Sequence, residues 1–148
     1  MKIMNRFFAY AQDFEVTFRD DDWSRLEGYF TPDATYEVRN VPFACSITGR
    51  DAIFRAIKKS LDGFDRRFAE RRIEMTRPPT ADGDTVTVCW AVAYERSDAP
   101  PLTIRGRSVA RFAGDRIAHL ADTFEDGVGE QASAWIGTHG ADIDFSYV

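Results

Sequence analysis

Apolar residues recur at helical spacing in the first part of the chain and at every second position in the later part. The first helix is predicted from an apolar stripe over residues 3–19, made of Ile3, Phe7, Tyr10, Ala11, Phe14 and Phe18. A short second helix is predicted at WSRLEGYF (23–30), capped by the run of aspartates before it. A third helix is predicted to begin at Thr48 as its N-cap and to end at Gly63.

Strands are predicted wherever apolar and polar residues alternate. One strand is predicted at ATYEVRN (34–40), and after Gly63 the period of two predicts strands at about 67–77, 84–96, 102–113 and 115–125. The tail segment GVGEQASAWIG predicts one further helical turn, whose Trp135 and Ile136 pack over an edge or an opening. Helices followed by a meander of strands predict an α+β fold: one curved, mainly antiparallel sheet with three helices of the N-terminal half on its concave face. The 148 residues fit a single domain, 1–148.

The alternation of side chains in the last strand sorts its residues onto two faces. Ala118, Leu120, Asp122 and Phe124 share the apolar face, and Ile117 and His119 are expected on the other. Asp122 is therefore the carboxylate expected among apolar groups, where desolvation raises the pKa of a carboxylate and suits it to general acid/base catalysis. An arginine partner, or backbone amides that Asp122 caps, would instead make Asp122 structural, and Arg72 is the natural arginine partner if it points inward. The residues alone leave both interpretations open.

Composition and charge narrow the choice of partner. The chain carries a net charge of −5, which favours neither nucleic acid nor an anionic membrane surface. Twelve Phe, five Tyr and three Trp supply enough aromatic surface for a core and for the walls of an apolar pocket. Cys45 and Cys89 lack the spacing of metal ligands, and the start of the chain lacks the hydrophobic run of a signal peptide. A cytoplasmic location and no metal or other cofactor are expected.

Three segments carry a resemblance to a known family: WSRLEGYFTPDATYEV (23–38), TGRDAIFRAI (48–57) and AGDRIAHLADTFED (113–126). They resemble the nuclear-transport-factor-2-like (NTF2-like) superfamily, which has a cystatin-like fold, and within it the SnoaL-like group. The resemblance spans nearly the whole chain. It implies a cone-shaped α+β barrel with a deep apolar pocket between sheet and helices, and a homodimer that pairs through the outer sheet face.

The same resemblance implies roles for individual residues. Limonene-epoxide-hydrolase-like members are similar at RNVPF (39–43) and LADTFED, which implies that Asn40 holds the attacking water and that Asp122 activates or protonates. The remaining polar positions of that site fall on Val38 and on inward residues of the central strand, so epoxide hydrolysis is less favoured. In ketosteroid-isomerase-like members the base and acid positions fall near Val38 and Ser108. The expected substrate-binding residues are Tyr36, Trp90, Tyr94, Ser108, Trp23, Phe54 and Phe124.

These features favour an enzyme of the SnoaL-like cyclase, isomerase or lyase type, which acts without a cofactor on a mostly apolar molecule that bears a carbonyl group. Asp122 would be the acid/base and Asn40 or Tyr94 a donor to the oxyanion. Two alternatives remain open. One is a non-catalytic protein that binds a hydrophobic ligand. The other is an accessory or assembly subunit whose outer sheet face, with Arg105, Arg107 and Arg111, forms an interface.

Overall fold

The structure of the protein, a computed structural model, describes residues 2–148. The α-helices are α1 (Lys2–Asp20), α2 (Arg50–Gly63) and α3 (Val128–His139). Short 3-10 helices occupy Trp23–Tyr29 and Asp65–Arg67. The strands are β1 (Phe30–Arg39), β2 (Cys45–Thr48), β3 (Glu70–Met75), β4 (Thr80–Asp82), β5 (Thr85–Glu95), β6 (Leu102–Ala113) and β7 (Arg116–Phe124).

The strands form one curved, open sheet in the order β2-β1-β7-β6-β5-β3, with β4 paired to β5. Only β1 and β7 run parallel among the strand pairs of residues 2–148, and every other pair is antiparallel. The α+β class and the mainly antiparallel sheet predicted from the alternation of residues are confirmed. Within the same residues no helix has the length and apolar character needed to cross a membrane.

Several elements differ from the sequence prediction for local reasons. The segment Trp23–Tyr29 is a 3-10 helix, and Asp22 makes no side-chain capping bond to it. The N-cap of helix α2 is Gly49 and not Thr48, which is the last residue of β2. The chain turns from β2 into α2 at Gly49 with a φ of 98°, a conformation that glycine adopts readily. Strands β2 and β4 have four and three residues, too few for their alternation to be recognised. Helix α3 has twelve residues instead of one turn.

A bulge in β7 changes which face Ile117 presents. Phe112 pairs with Ile117 while Arg111 pairs with His119, so Ala118 is an extra residue in β7. Ile117 therefore lies in the core, fully buried, and not on the outer face that simple alternation predicted. Beyond the bulge the alternation is regular, so it still applies at Asp122.

The core lies between the helices and the concave face of the sheet. The residues with the largest fully buried side chains include Leu26, Phe30, Tyr36, Ile53, Leu102 and Ile117. Each apolar side chain of this size stabilises the fold by roughly 1.5–3 kcal/mol when it is withdrawn from water. The core does not fill the whole space beneath the helices, and the remaining space is the cavity described next.

Candidate functional site

A cavity of about 440 Å³ lies between the helices and the inner face of the sheet. Its walls come from α1, α2, the inward positions of β1, β3, β5, β6 and β7, and the C-terminal segment, and they are mostly apolar. Ile73 and Met75 line it while remaining 48% and 52% exposed, so the mouth of the cavity lies beside the edge strand β3. This volume and lining are typical of a small-molecule site.

Asp122 faces the cavity from β7 and is held by two hydroxyl groups. The Ser108 hydroxyl donates to Oδ1 at 2.6 Å and the Tyr36 hydroxyl donates to Oδ2 at 2.6 Å. The indole Nε1–H of Trp90 donates to Ser108 Oγ at 2.9 Å, which directs the Ser108 hydrogen toward the carboxylate. The four side chains come from four different strands, so the rigid sheet fixes the orientation of the carboxylate.

Desolvation by the surrounding protein raises the pKa of Asp122, and the hydrogen bonds from Ser108 and Tyr36 oppose the rise. No ion pair within residues 2–148 involves Asp122. The carboxylate therefore has hydroxyl partners but no cation. Because of its burial, the charged form is less favoured relative to the neutral form than it would be in water. Such a group is better suited to take and return a proton than an aspartate in water.

The arginine partner considered from the sequence is absent because Arg72 points outward. Arg72 is 59% exposed and pairs with Glu70 and with Glu95, the latter at 2.9 Å. Its neighbour Arg71 points inward but is engaged by other carboxylates, Asp65 at 2.8 Å and Glu15 at 2.7 Å. The structural interpretation that depended on an arginine locked to Asp122 is therefore wrong.

A second group of polar residues lines the cavity around Tyr94 of β5, four residues along that strand from Trp90, which lies beside Ser108 and Asp122. Asp65 accepts hydrogen bonds from Arg71 and from the Tyr94 hydroxyl, the latter at 3.0 Å, and Glu15 accepts from Arg71. The alternation of residues in β5 predicted Tyr94 at the site, whereas no pattern indicated Asp65, Arg71 or Glu15. Asp65 and Arg71 lie in the segment where helical periodicity ends and strand periodicity begins, so no face could be assigned to them.

Most of the predicted substrate-binding residues lie together. Tyr36, Trp90, Tyr94, Ser108 and Phe124 all line the cavity with Asp122. Trp23 and Phe54 do not line it, and the expectation that they would is wrong. Their rings lie 5.8 Å apart in the packed region between the first 3-10 helix and α2, and the Trp23 indole donates to Asp21.

Asn40 also lies outside the cavity, which corrects its predicted role beside Asp122. The strand β1 ends at Arg39, and Asn40 follows with a φ of 67°, a left-handed conformation that asparagine tolerates better than most residues. Its amide donates to the Phe124 carbonyl and to Asp126 Oδ1, both at 2.9 Å. Asn40 thus fixes the loop that joins β1 to β2 against the end of β7.

His119 lies on the outer face of the sheet, opposite to Asp122, as the alternation of β7 predicts. Its Nδ1 is 2.5 Å from the Thr35 hydroxyl, and its Nε2 is 3.9 Å from Glu37. The histidine and the aspartate of this strand therefore act on different sides of the sheet. Within residues 2–148 no group of three or more His, Cys, Asp or Glu side chains is arranged to hold a metal ion.

Two tyrosines that the sequence did not single out complete the Asp122 end of the cavity. Tyr10 reaches it from α1 and Tyr147 from the C-terminal segment. Burial raises the pKa of both phenols far above their usual range, and the nearby charge of Asp122 adds to the rise. Tyr10 sits in a regular helical stripe that is equally typical of core packing, and Tyr147 lies in a segment without periodicity.

The sequence matches the family model described as "SnoaL-like domain" over residues 11–120. The matched range covers more than half of the chain and includes α1 from Ala11, both 3-10 helices, α2 and most of the sheet. No curated protein gives a significant match.

Solved structures with the same fold include proteins from several sources. An NTF2-like protein of unknown function from Burkholderia pseudomallei is 15% identical, with a TM-score of 0.69 over 91% of this chain and 98% of that one. TerC, co-crystallised with polyporic acid, is 16% identical, with a TM-score of 0.66 over 93% and 99% of the two chains. A protein from Catenulispora acidiphila with a ketosteroid isomerase-like fold, in complex with trimethylamine, is 18% identical, with a TM-score of 0.62 over 86% and 92%. These likenesses confirm the NTF2-like fold that the sequence resemblance implied.

Proposed function

The chain belongs to the SnoaL-like domain family, and on that premise we propose that it is an acid/base enzyme of the isomerase, cyclase or lyase class. Its substrate is a mostly apolar small molecule with a carbonyl group, and Asp122 transfers the proton. The reaction needs only proton transfer, which the side chains of this cavity can supply without a cofactor.

The observation that carries the proposal is the setting of Asp122. The carboxylate faces a mostly apolar cavity, is fixed by Tyr36 and Ser108, and has no cation beside it among residues 2–148. Its pKa is raised by desolvation. A purely structural carboxylate in a core is normally neutralised by a cation or by backbone amides, whereas this one has a space large enough for a ligand in front of it.

The chemistry that follows is enolisation. The ionised Asp122 carboxylate takes a proton from the carbon next to the carbonyl, so a C–H bond breaks, an O–H bond forms on Asp122, and the electron pair moves to the carbonyl oxygen as an enolate. Neutral Asp122 then returns the proton. Return of the proton to a different carbon of a conjugated enolate gives an isomer. In a cyclisation the enolate carbon attacks a second carbonyl of the same molecule, and the oxygen of that carbonyl takes the proton from Asp122. In a lyase reaction the bond between the β carbon and a leaving group breaks, and the departing group takes the proton from Asp122.

A small molecule as ligand is further supported by two fold relatives. TerC was co-crystallised with polyporic acid, and the Catenulispora acidiphila protein is in complex with trimethylamine. The lining of this chain's cavity, with Phe7, Trp90 and Phe124 among its walls, favours a ligand with a flat apolar body.

The proposal is tested by proton NMR of 2-tetralone, an apolar bicyclic ketone, incubated with the protein in D2O. Enolisation replaces the protons next to the carbonyl by deuterium, so their signals decay without any need for complete turnover. We expect the wild type to accelerate this decay and Asp122→Asn to abolish the acceleration while its melting temperature is no lower than that of the wild type. Asp33→Asn, an exposed position on β1, is the matched control and should exchange like the wild type.

The alternative of a non-catalytic binding protein is favoured by one observation. Both oxygens of Asp122 already accept a hydrogen bond from the protein, and the cavity's other buried carboxylate, Asp65, is neutralised by Arg71. This alternative predicts that 2-tetralone binds to the wild type and to Asp122→Asn with similar affinity and that neither protein accelerates exchange.

A further inference from the structure

An enolate in this cavity needs a hydrogen-bond donor, and the donors closest to Asp122 are already used. The hydroxyls of Ser108 and Tyr36 both donate to Asp122, and the Trp90 indole donates to Ser108. Of the two donors expected from the sequence, Asn40 lies outside the cavity, and the Tyr94 hydroxyl donates to Asp65 instead. The oxygen that gains charge during enolisation would therefore have to be stabilised by another group.

Tyr10 and Tyr147 are the tyrosines of the cavity whose hydroxyls are not bonded to a carboxylate. Both line the cavity, and both are near enough to Asp122 for its charge to affect them. Among residues 2–148 neither hydroxyl donates to a carboxylate, whereas Tyr29, Tyr36 and Tyr94 each donate to an aspartate. The Tyr147 hydroxyl lies beside the hydroxyls of Ser60 and Tyr36. Because burial keeps both phenols neutral, each retains its O–H near neutral pH.

Tyr147 is placed in the cavity by a segment without helix or strand, residues 143–148, which we call the C-terminal strap. The backbone of the strap forms a hydrogen bond with the end of α2, in which the Asp144 N–H donates to the Gly63 carbonyl at 3.0 Å. Lys59 of α2 holds its end by bonding the Ser146 hydroxyl at 2.6 Å and the Val148 carbonyl at 2.9 Å. The neighbouring Phe145 packs on Phe43, with ring centroids 4.3 Å apart.

The C-terminal strap packs on α2 in direct backbone contact at Gly63. A Cβ at Gly63 would collide with the Asp144 carbonyl oxygen, so the strap could not dock as it does if any other residue stood there. The strap's outer contacts are exposed and polar, whereas its inner side chains, Phe145 and Tyr147, meet the aromatic rings of Phe43 and Tyr36. The strap therefore completes the wall of the cavity at the Asp122 end.

We propose that Tyr147, delivered by the C-terminal strap, and Tyr10 of α1 donate the hydrogen bonds that hold the ligand's oxygen beside Asp122. The ligand class is a ketone, or an enol or phenol that resembles its enolate. The phenols donate hydrogen bonds and transfer no proton, so the enolate oxygen keeps its charge until Asp122 returns the proton to carbon. The catalytic part of this inference rests on the proposed function, and the binding part does not.

The test compares Tyr147→Phe and Tyr10→Phe with the wild type, and uses Tyr29→Phe as the matched control. The Tyr29 hydroxyl bonds Asp13 and does not line the cavity. Two readouts are measured: the exchange rate of 2-tetralone in D2O, and the affinity for 2-naphthol, an analogue of its enol, by titration calorimetry. Tyr147→Phe should slow exchange by about 100-fold and weaken 2-naphthol binding by about 5- to 10-fold, Tyr10→Phe should show smaller losses, and Tyr29→Phe should match the wild type.

The outcomes separate this inference from the proposed function. If Asp122→Asn abolishes exchange while Tyr147→Phe changes neither readout, the assignment of Tyr147 is wrong and the proposed function stands. If the wild type does not accelerate exchange, the acid/base proposal fails for this ketone. The affinity for 2-naphthol then remains as the test of the hydrogen bond from Tyr147. A loss of affinity in Tyr147→Phe then supports the hydrogen bond, and equal affinity, or no binding to the wild type, overturns it.

Discussion

Ser108 and Asp122 lie directly opposite each other in the register of β6 and β7, and the Ser108 hydroxyl donates a 2.6 Å hydrogen bond to the Asp122 carboxylate. Cross-strand partners on one face of a sheet are close enough for such a bond whenever both side chains are short and polar. The sheet therefore holds the carboxylate in one orientation toward the cavity, before any ligand binds. This preorganisation underlies the first two predictions.

Asp122→Asn should change how stability depends on pH. The pKa of Asp122 is raised in the folded state, so between its unfolded value and its folded value the folded protein holds more protons. Stability from this residue is therefore fully present below its unfolded pKa and is lost as pH rises through the folded pKa. Urea unfolding at pH 4 and pH 7 should show that Asp122→Asn gains stability relative to the wild type at the higher pH. An unchanged difference between the two pH values would contradict the desolvation of Asp122.

Tyr36→Phe should move the pH dependence of catalysis. The Tyr36 hydroxyl stabilises the ionised carboxylate, so its removal raises the pKa of Asp122 further. Exchange of 2-tetralone requires ionised Asp122, and the midpoint of its pH profile should therefore move upward, with a cost of about 1 kcal/mol in the free energy of unfolding. Ser108→Ala should move the midpoint in the same direction. A midpoint that stays in place in both variants would show that another group is the base.

Arg71→Met should destabilise the protein strongly, and Arg72→Met should not. The Arg71 side chain is only 10% exposed and bonds Asp65 and Glu15, whereas that of Arg72 is 59% exposed. Removing Arg71 leaves a buried carboxylate without its partner, which costs about 3–5 kcal/mol. Urea unfolding of the two variants is the measurement. Equal effects of the two substitutions would contradict the inward placement of Arg71.

Gly63→Ala should release the C-terminal strap. The new methyl group would meet the Asp144 carbonyl, so Tyr147 would withdraw from the cavity and the variant should reproduce the losses of Tyr147→Phe in 2-naphthol affinity. Gly137→Ala in α3 is the control, because no atom lies within 4 Å of a Cβ at that position. Hydrogen exchange followed by mass spectrometry should show faster exchange in residues 143–148 of Gly63→Ala only. If amide hydrogen exchange in residues 143–148 stays slow and the affinity for 2-naphthol stays normal, the substitution does not move Tyr147 and the prediction is wrong.

Much of the fold and part of the site follow from residue patterns. The alternation in β5, β6 and β7 placed Trp90, Ser108 and Asp122 on the inner face, where the structure has them lining the cavity. The alternation failed at Ile117, because the extra residue Ala118 cannot be recognised without the pairing partner across the sheet. Short-range patterns describe one strand at a time, and a bulge is a relationship between two.

The rest of the site depends on contacts between distant parts of the chain. Asn40 stands beside inward residues in the sequence, but its left-handed backbone conformation at the end of β1 turns it toward Asp126. Tyr147 enters the cavity because α2 offers Gly63 and Lys59 as docking points, which no pattern within the tail reveals. The homodimer expected through the outer face remains a prediction, which sedimentation of the wild type would check.

If Asp122 is the group that exchanges protons with a ligand in the cavity, two midpoints must agree. One is the midpoint of the titration of the Asp122 carboxyl carbon, measured by carbon-13 NMR, and the other is the midpoint of the pH profile of 2-tetralone exchange. We expect the two midpoints to coincide, above the usual pKa of an aspartate, and exchange to rise with pH through them. A carboxyl carbon that titrates at the ordinary value, or an exchange profile that persists in Asp122→Asn, would contradict it.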